Sequence, residues 1–451
     1  MAPETECPAR PCQRARVSPW RWILPSTALL LMAAAFTITK TGRDALYVQK
    51  NGVNSLPLAY LCLSLLAPAV AMVTLLAMTR WGARPVRVLA PLSMGLLQVT
   101  VPLWAQPGPG RLMMILFVFV PAAFGVLLSA TWLLAAELAP ENRQQRTRSF
   151  AVFGAASMAG SIAGAWMARW LAASIAPQTY FMLGAVLLAS ASVVIVRAHS
   201  LFPRASIQSV STKLVTPSLA TLRLVLSDIY VRILILTVTA ASITGVLIEY
   251  LFYVNAGAAA AGGSRTTVYF ANFYLWLNGA GLALQLAAIP LLQRRLGLGK
   301  SLLFVPAAIL GASVLLSLRY LHAGTLRMVE GGLKSSFYRS GWEQSYALVA
   351  EEARGAIKIL VDGVASRFGE GVAALGLILF VTIQGQSGSV INPLGLHAVL
   401  LVAAASWGAS VYTMRKLIDH HESCLGESEQ DPEGHPVEGC VLTATIGRQL
   451  L

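Results

Sequence analysis

Apolar stretches of roughly twenty residues, each closed by small, polar or basic residues, recur along almost the whole chain. A helix rises about 1.5 Å per residue and needs about 20 residues to cross roughly 30 Å of hydrocarbon. Read on that length, the pattern predicts twelve spans, at about residues 23–47, 55–79, 88–105, 112–136, 149–172, 178–197, 231–254, 267–292, 301–322, 324–350, 355–385 and 392–414. Ten stand out by hydropathy. The tenth and eleventh carry nine charged side chains between Tyr338 and Gly371, and are assigned as spans from their length and their place in an internal repeat.

Composition agrees with a membrane protein: 56% of the 451 residues are hydrophobic and 12% are charged. A soluble domain needs a polar shell that this chain cannot supply. Lys and Arg set the orientation. They gather in the N-terminal arm (Arg10, Arg14, Arg16, Arg21) and after spans two, four, six and eight (Arg80, Arg84, Arg87; Arg143, Arg146, Arg148; Arg197, Arg204, Lys213, Arg223; Arg294, Arg295, Lys300). The opposite loops hold little beyond Arg111, Arg169 and Arg265. Both termini are therefore expected in the cytoplasm, and a bacterial inner membrane is the expected location. The net charge of +14 follows from this bias and suits anionic lipid. No nucleic-acid partner is expected.

The expected organisation is a cytoplasmic arm over 1–22, a six-helix bundle over 23–197, a cytoplasmic linker over 198–230, a second six-helix bundle over 231–414 and a disordered tail over 415–451. The stretch "ILPSTALLLMAAAFT" behind an Arg-bearing arm has features of a secretory signal. It is read as the first span, since the arm is long and the helix continues into "TKTGRDALY". Five scattered cysteines form no disulfide framework, and the His- and Cys-bearing tail reads as solvated chain. No cofactor or metal is expected.

The halves are related. "RWGARPVRVLAPL" from Arg80 and "RRLGLGKSLLFVP" from Arg294 share a basic turn with Gly82 and Gly297, 215 residues apart (297 − 82). Glu137 and Glu351, each ending a span, are 214 apart (351 − 137). Six helices per half give both halves one orientation, the major-facilitator arrangement, with a solute site between them. The expected fold is thus an all-α membrane protein of twelve transmembrane helices in two six-helix pseudo-repeats.

An ion inside a membrane costs a few kcal/mol unless it is paired or wet, so such residues are candidates for function. Glu351, Arg354, Lys358 and Asp362 fall on one stripe of span eleven, continued by Arg367 and Glu370. Span one ends with Lys40, Arg43 and Asp44; span seven holds Glu249; span ten holds Glu330, Lys334, Arg339 and Glu343. Two readings stand: salt bridges that lock helices ten and eleven together, or a solute and coupling array. Lys358 and Asp362 are expected to pair, and Arg43 and Asp44 to face them across a cavity. Glu249 has no local partner, which leaves a pair from across the bundle or a proton site. The segment "GAASMAGSIAG" of span five reads as close helix packing, not a phosphate loop.

At these residues the chain resembles the nucleotide transporters, or ATP/ADP translocases, of plastids and intracellular bacteria. "TKTGRDALYVQKNGVNSLPLAYL" is similar to that family's first helix, with Arg43 in place of a lysine and Asp44 after it. "GVLIEYLFY" puts Glu249 on an acidic position of the family, and "LKSSFYRSGWEQSYALVAEEARGAIKILVDGVASRFGEG" matches at Lys334, Glu343, Tyr346, Lys358, Asp362 and Arg367. The resemblance is spread patchily over helices one to eleven. Tyr253 and Glu370 stand where the family carries lysines, so a phosphate-binding cavity has lost two cations and gained an acid.

The resemblance implies a secondary transporter, moving an anionic or zwitterionic metabolite, nucleotides included, by alternating access. Arg43, Asp44, Lys334, Lys358 and Arg367 are the expected solute-binding residues; Glu249, Asp362, Glu343 and Glu370 are the expected coupling or ion-pair residues. A proton-coupled facilitator of an unrelated solute, with protons carried by Glu249 or Asp362, is one alternative, and a transport-dead membrane sensor another. An enzyme is not expected, since the six histidines are dispersed without ligand spacing. The expected partners are a small-molecule solute and the bilayer, with the chain a monomer.

Overall fold

The computed structural model describes residues 19–105, 110–140, 143–203, 228–259, 264–284, 286, 289–334, 342, 345, 346, 349, 357–386 and 393–428. Among them the chain forms helices and no strand: α1 (Trp20–Asn51), α2 (Leu56–Trp81), α3 (Ala83–Ala105), α4 (Gly110–Leu138), α5 (Arg143–Leu171), α6 (Thr179–Leu201), α7 (Ile229–Ala259), α8 (Ser264–Ala283), α9 (Ile289–Ser317), α10 (Ala323–Leu333), α11 and α12 (Pro393–Ser428). Helix α11 opens with a π-helical stretch, Ile359–Ala365, and continues as α-helix over Ser366–Gln386. Nine of the described helices are long and apolar enough to cross a membrane. Their outer faces present large apolar side chains such as Leu65, Leu96, Leu103 and Val402, as lipid-facing surfaces do.

Local chemistry sets the ends. Gly52 and Gly82 take positive φ values of 67° and 88° where α1 and α2 stop, a conformation glycine adopts without penalty. Asp228 caps α7: its Oδ1 accepts hydrogen bonds from the backbone N–H groups of Tyr230 at 2.7 Å and Val231 at 3.3 Å.

Some boundaries differ from the sequence reading. Helix α8 ends at Ala283 and α9 begins at Ile289, so the basic stretch Arg294 to Lys300, expected in a loop, lies within α9. Helix α12 runs to Ser428, beyond the expected end at 414, so the first part of the expected tail is helical. Hydropathy marks only the lipid-buried part of a helix and is blind to turns that project past it. Most of the expected linker lies outside the described residues, as do Arg339, Glu343, Glu351, Glu352 and Arg354.

Contacts between helices repeat from one half to the other. Helix α1 packs on α4, α5 and α6, and α3 on α6; α7 packs on α10, α11 and α12, and α9 on α12. The halves meet where α5 lies on α8 and α2 lies on α11. Moving six helices along the chain turns each of these two contacts into the other, which is what a two-fold relation between repeats requires. Small residues allow the close approaches. A Cβ on Gly160 or Gly164 of α5 would collide with the carbonyl oxygens of Leu30 and Ala34 of α1, and one on Gly369 of α11 would collide with that of Thr239 of α7. The "GAASMAGSIAG" segment is therefore a packing surface.

Candidate functional site

A polar cavity of about 110 Å³ lies between the halves. Helix α2 contributes Tyr60 and Leu63; α7 contributes Ser242, Gly245, Val246 and Glu249; α10 and the residue after it contribute Arg327 and Lys334; α11 contributes Arg367 and Glu370. Along α7 the positions 242, 245, 246 and 249 recur at helical spacing, which turns them all to one side. A Cβ on Gly245 would come within 3.4 Å of Glu330 Oε1 and 3.5 Å of Lys334 Nζ, so the glycine keeps that wall open.

The charges of this wall are matched. The Arg327 guanidinium lies 3.3 Å from Glu249 and also bonds Glu330, one turn along its own helix. Lys334 Nζ reaches Glu330 at 3.6 Å, and Arg367 pairs with Glu370 at 2.7 Å. Three cations face three carboxylates. These three pairs add no net charge of their own, so they leave no cation free for a polyphosphate.

Arg43 and Asp44 do not line the cavity. Expected across from α11, they instead bind one another at 2.5 Å, both fully buried. Arg43 also donates to the Phe117 carbonyl of α4 at 3.2 Å and sits 4.2 Å from the centre of the Phe117 ring. Asp44 accepts a hydrogen bond from the Tyr274 hydroxyl of α8, which ties the two halves together. Packing explains the difference: the surrounding Tyr47, Phe117, Tyr253 and Phe270 form an aromatic wall, and an ion there is held only by a partner at hand.

The expected Lys358–Asp362 pair does not form either. Asp362 Oδ1 accepts from Trp342 Nε1 at 2.9 Å and from the Tyr346 hydroxyl at 2.7 Å, while the Lys358 ammonium lies 5.7 Å over the Tyr346 ring. The π-helical stretch is the reason. Its wider turn carries residues four apart out of the single stripe that an α-helix would give.

Of the nine site residues read from sequence, Lys334, Arg367, Glu249 and Glu370 thus share one cavity. Arg43 with Asp44, and Lys358 with Asp362, lie in two other places, and Glu343 is outside the described residues. Arg327, Tyr60, Ser242 and Tyr274 were not singled out. Arg327 carried a signal, since it stands three residues before Glu330 in an otherwise apolar helix; the others are recognisable only once the helices are packed.

The sequence matches no protein-family model and no curated protein. Solved structures do match. The D323A mutant of the nucleoside transporter NupG superposes with a TM-score of 0.64 at 14% identity, over 88% of this chain and 99% of that one. A second NupG structure gives 0.62 at 13% identity with the same coverage. The chain has the major-facilitator fold. At such identity the likeness speaks for the fold, and the fold agrees with the paired contacts α5 on α8 and α2 on α11.

Proposed function

We propose that the chain is a secondary transporter that carries a small polar organic solute by alternating access, and that the cavity between α2 and α7, α10 and α11 receives it. One observation supports this most: five charged side chains from the membrane-spanning region line a cavity shared by both halves, and a sixth, Glu330, pairs with two of them from behind. A purely structural lock would be expected to fill such a space. Both termini lie on the cytoplasmic side in this reading, as the Lys and Arg distribution favours.

Nucleosides are the first solutes to test, because both structural neighbours are named as nucleoside transporters. Kinship with the ATP/ADP translocases belongs to the same proposal as a matter of ancestry. Exchange of ATP and ADP is not favoured, since each cavity cation already has a carboxylate and a polyphosphate would find no counter-charge there. Purified protein in proteoliposomes preloaded with unlabelled solute tests the proposal by counterflow of labelled nucleosides, nucleotides and amino acids. Counterflow of a compact polar solute supports it. Counterflow of ADP alone would favour the exchanger, and failure of the whole panel would contradict solute transport of these classes.

A further inference from the structure

Five cations of α1, α10, α11 and the residue after α10 surround the cavity and the Asp44 cluster: Lys40, Arg43, Arg327, Lys334 and Arg367. Four have a carboxylate within 4.0 Å. Lys40 has none among the described residues. Its ammonium instead lies 4.6 Å over the ring of Tyr274 and 6.0 Å from the ring of Phe36, one turn back on α1. The carboxylates that act on it most, Glu249 and Asp44, are held by Arg327 and by Arg43. Opposite these five cations stand Asp44, Glu249, Glu330 and Glu370, so this group of ions carries one positive charge over, and that charge belongs to Lys40.

An aromatic face recovers only part of what an ammonium loses on leaving water. Lys40 is half-buried, so a further ligand can still approach it. We infer that Lys40 is the anchor for a single anionic group on the transported solute, with the partly exposed ring of Phe36 beside it as the flat surface for the rest of that solute. A carboxylate on Lys40 would make a charge-assisted hydrogen bond and bring the cluster to neutrality. The solute class is then a compact, flat organic monoanion. A di- or trianion would leave its further charge without a partner, and a neutral nucleoside would leave Lys40 as it is. This rests on the transport reading above.

The test uses the full chain, with orotate, nicotinate and benzoate as planar monocarboxylates, uridine as a neutral solute of similar shape, and ADP. Thermal shift in detergent reads binding, and counterflow in proteoliposomes reads transport. We expect at least one monocarboxylate to bind and exchange better than uridine or ADP. Lys40→Gln should weaken its binding at least tenfold, and Lys40→Arg should stay within about threefold of the parent, a tenfold change being 1.4 kcal/mol. If Lys40→Gln does not fold, the ranking of the probes on the unaltered protein, together with Lys40→Arg, decides. Uridine exchanging as well as the monocarboxylates, or monocarboxylate binding that ignores Lys40→Gln, overturns the role of Lys40 and leaves transport standing. Failure of every probe to exchange overturns both.

Discussion

Glu249 of α7 and Arg327 of α10 face each other at 3.3 Å, with side chains only 24% and 16% exposed. The same guanidinium bonds Glu330, which is almost wholly buried. One arginine therefore neutralises two carboxylates on different helices. Removing it leaves both short of a counter-charge, whereas removing Glu249 as well leaves only Glu330, which Lys334 still reaches. We expect Arg327→Gln to cost about 2 kcal/mol or more of stability, and the double change Arg327→Gln, Glu249→Gln to restore part of it. Thermal unfolding in detergent measures both. A double variant less stable than the single one would contradict the shared pairing.

Gly245 is the position at which the cavity can be filled without replacing a charged residue. An alanine there meets its neighbours at ordinary contact distance, while a leucine would occupy the space before Glu330 and Lys334. Gly245→Leu is expected to leave the melting temperature nearly unchanged and to abolish uptake, and Gly245→Ala to keep it. Uptake by the leucine variant at the parent rate would place the solute elsewhere.

At Gly160 a single methyl group is enough. The Cβ would strike the backbone of Leu30, which cannot rotate away, so Gly160→Ala is expected to cost roughly 1–3 kcal/mol by overpacking. Gly125, with nothing within 4 Å of a Cβ, is the control, and Gly125→Ala should be neutral or slightly stabilising. Comparing the two unfolding temperatures checks the packing reading of "GAASMAGSIAG".

The Tyr274 hydroxyl joins α8 to Asp44 of α1 and so spans the two halves. Tyr274→Phe keeps the ring beneath Lys40 and removes only this bond. Bonds to charged groups contribute about 1.5–3 kcal/mol, so the variant should lose stability of that order. Spin labels placed on α1 and α8 should also report a larger share of molecules with those helices apart.

Much of this architecture was legible in the chain. Length and hydropathy exposed the spans, and the glycine-bearing basic stretches around Gly82 and Gly297 pointed to the repeat, although the second lies inside α9 and not in a turn. The cavity was half legible: Lys334, Glu249, Arg367 and Glu370 stood out because charge in an apolar helix is costly. Pairing was not legible. The spacing of Lys358 and Asp362 implied a bond only if α11 were α-helical there, and a π-helical stretch leaves no mark in residue spacing. Glu249 looked partnerless because its partner lies 78 positions away (327 − 249) on another helix.

If solute passes through the cavity between α2 and α7, α10 and α11, blocking that cavity must stop exchange. The most direct measurement is counterflow in proteoliposomes of whichever panel solute the unaltered protein exchanges, repeated with Gly245→Leu and with the charge-matched exchange Arg367→Glu, Glu370→Arg. Gly245→Leu is expected to show no counterflow, and the swapped pair, which preserves the local ion pair while inverting its polarity, to exchange at least tenfold more slowly with its unfolding temperature kept. Parent-like counterflow by both variants would contradict the placement of the site.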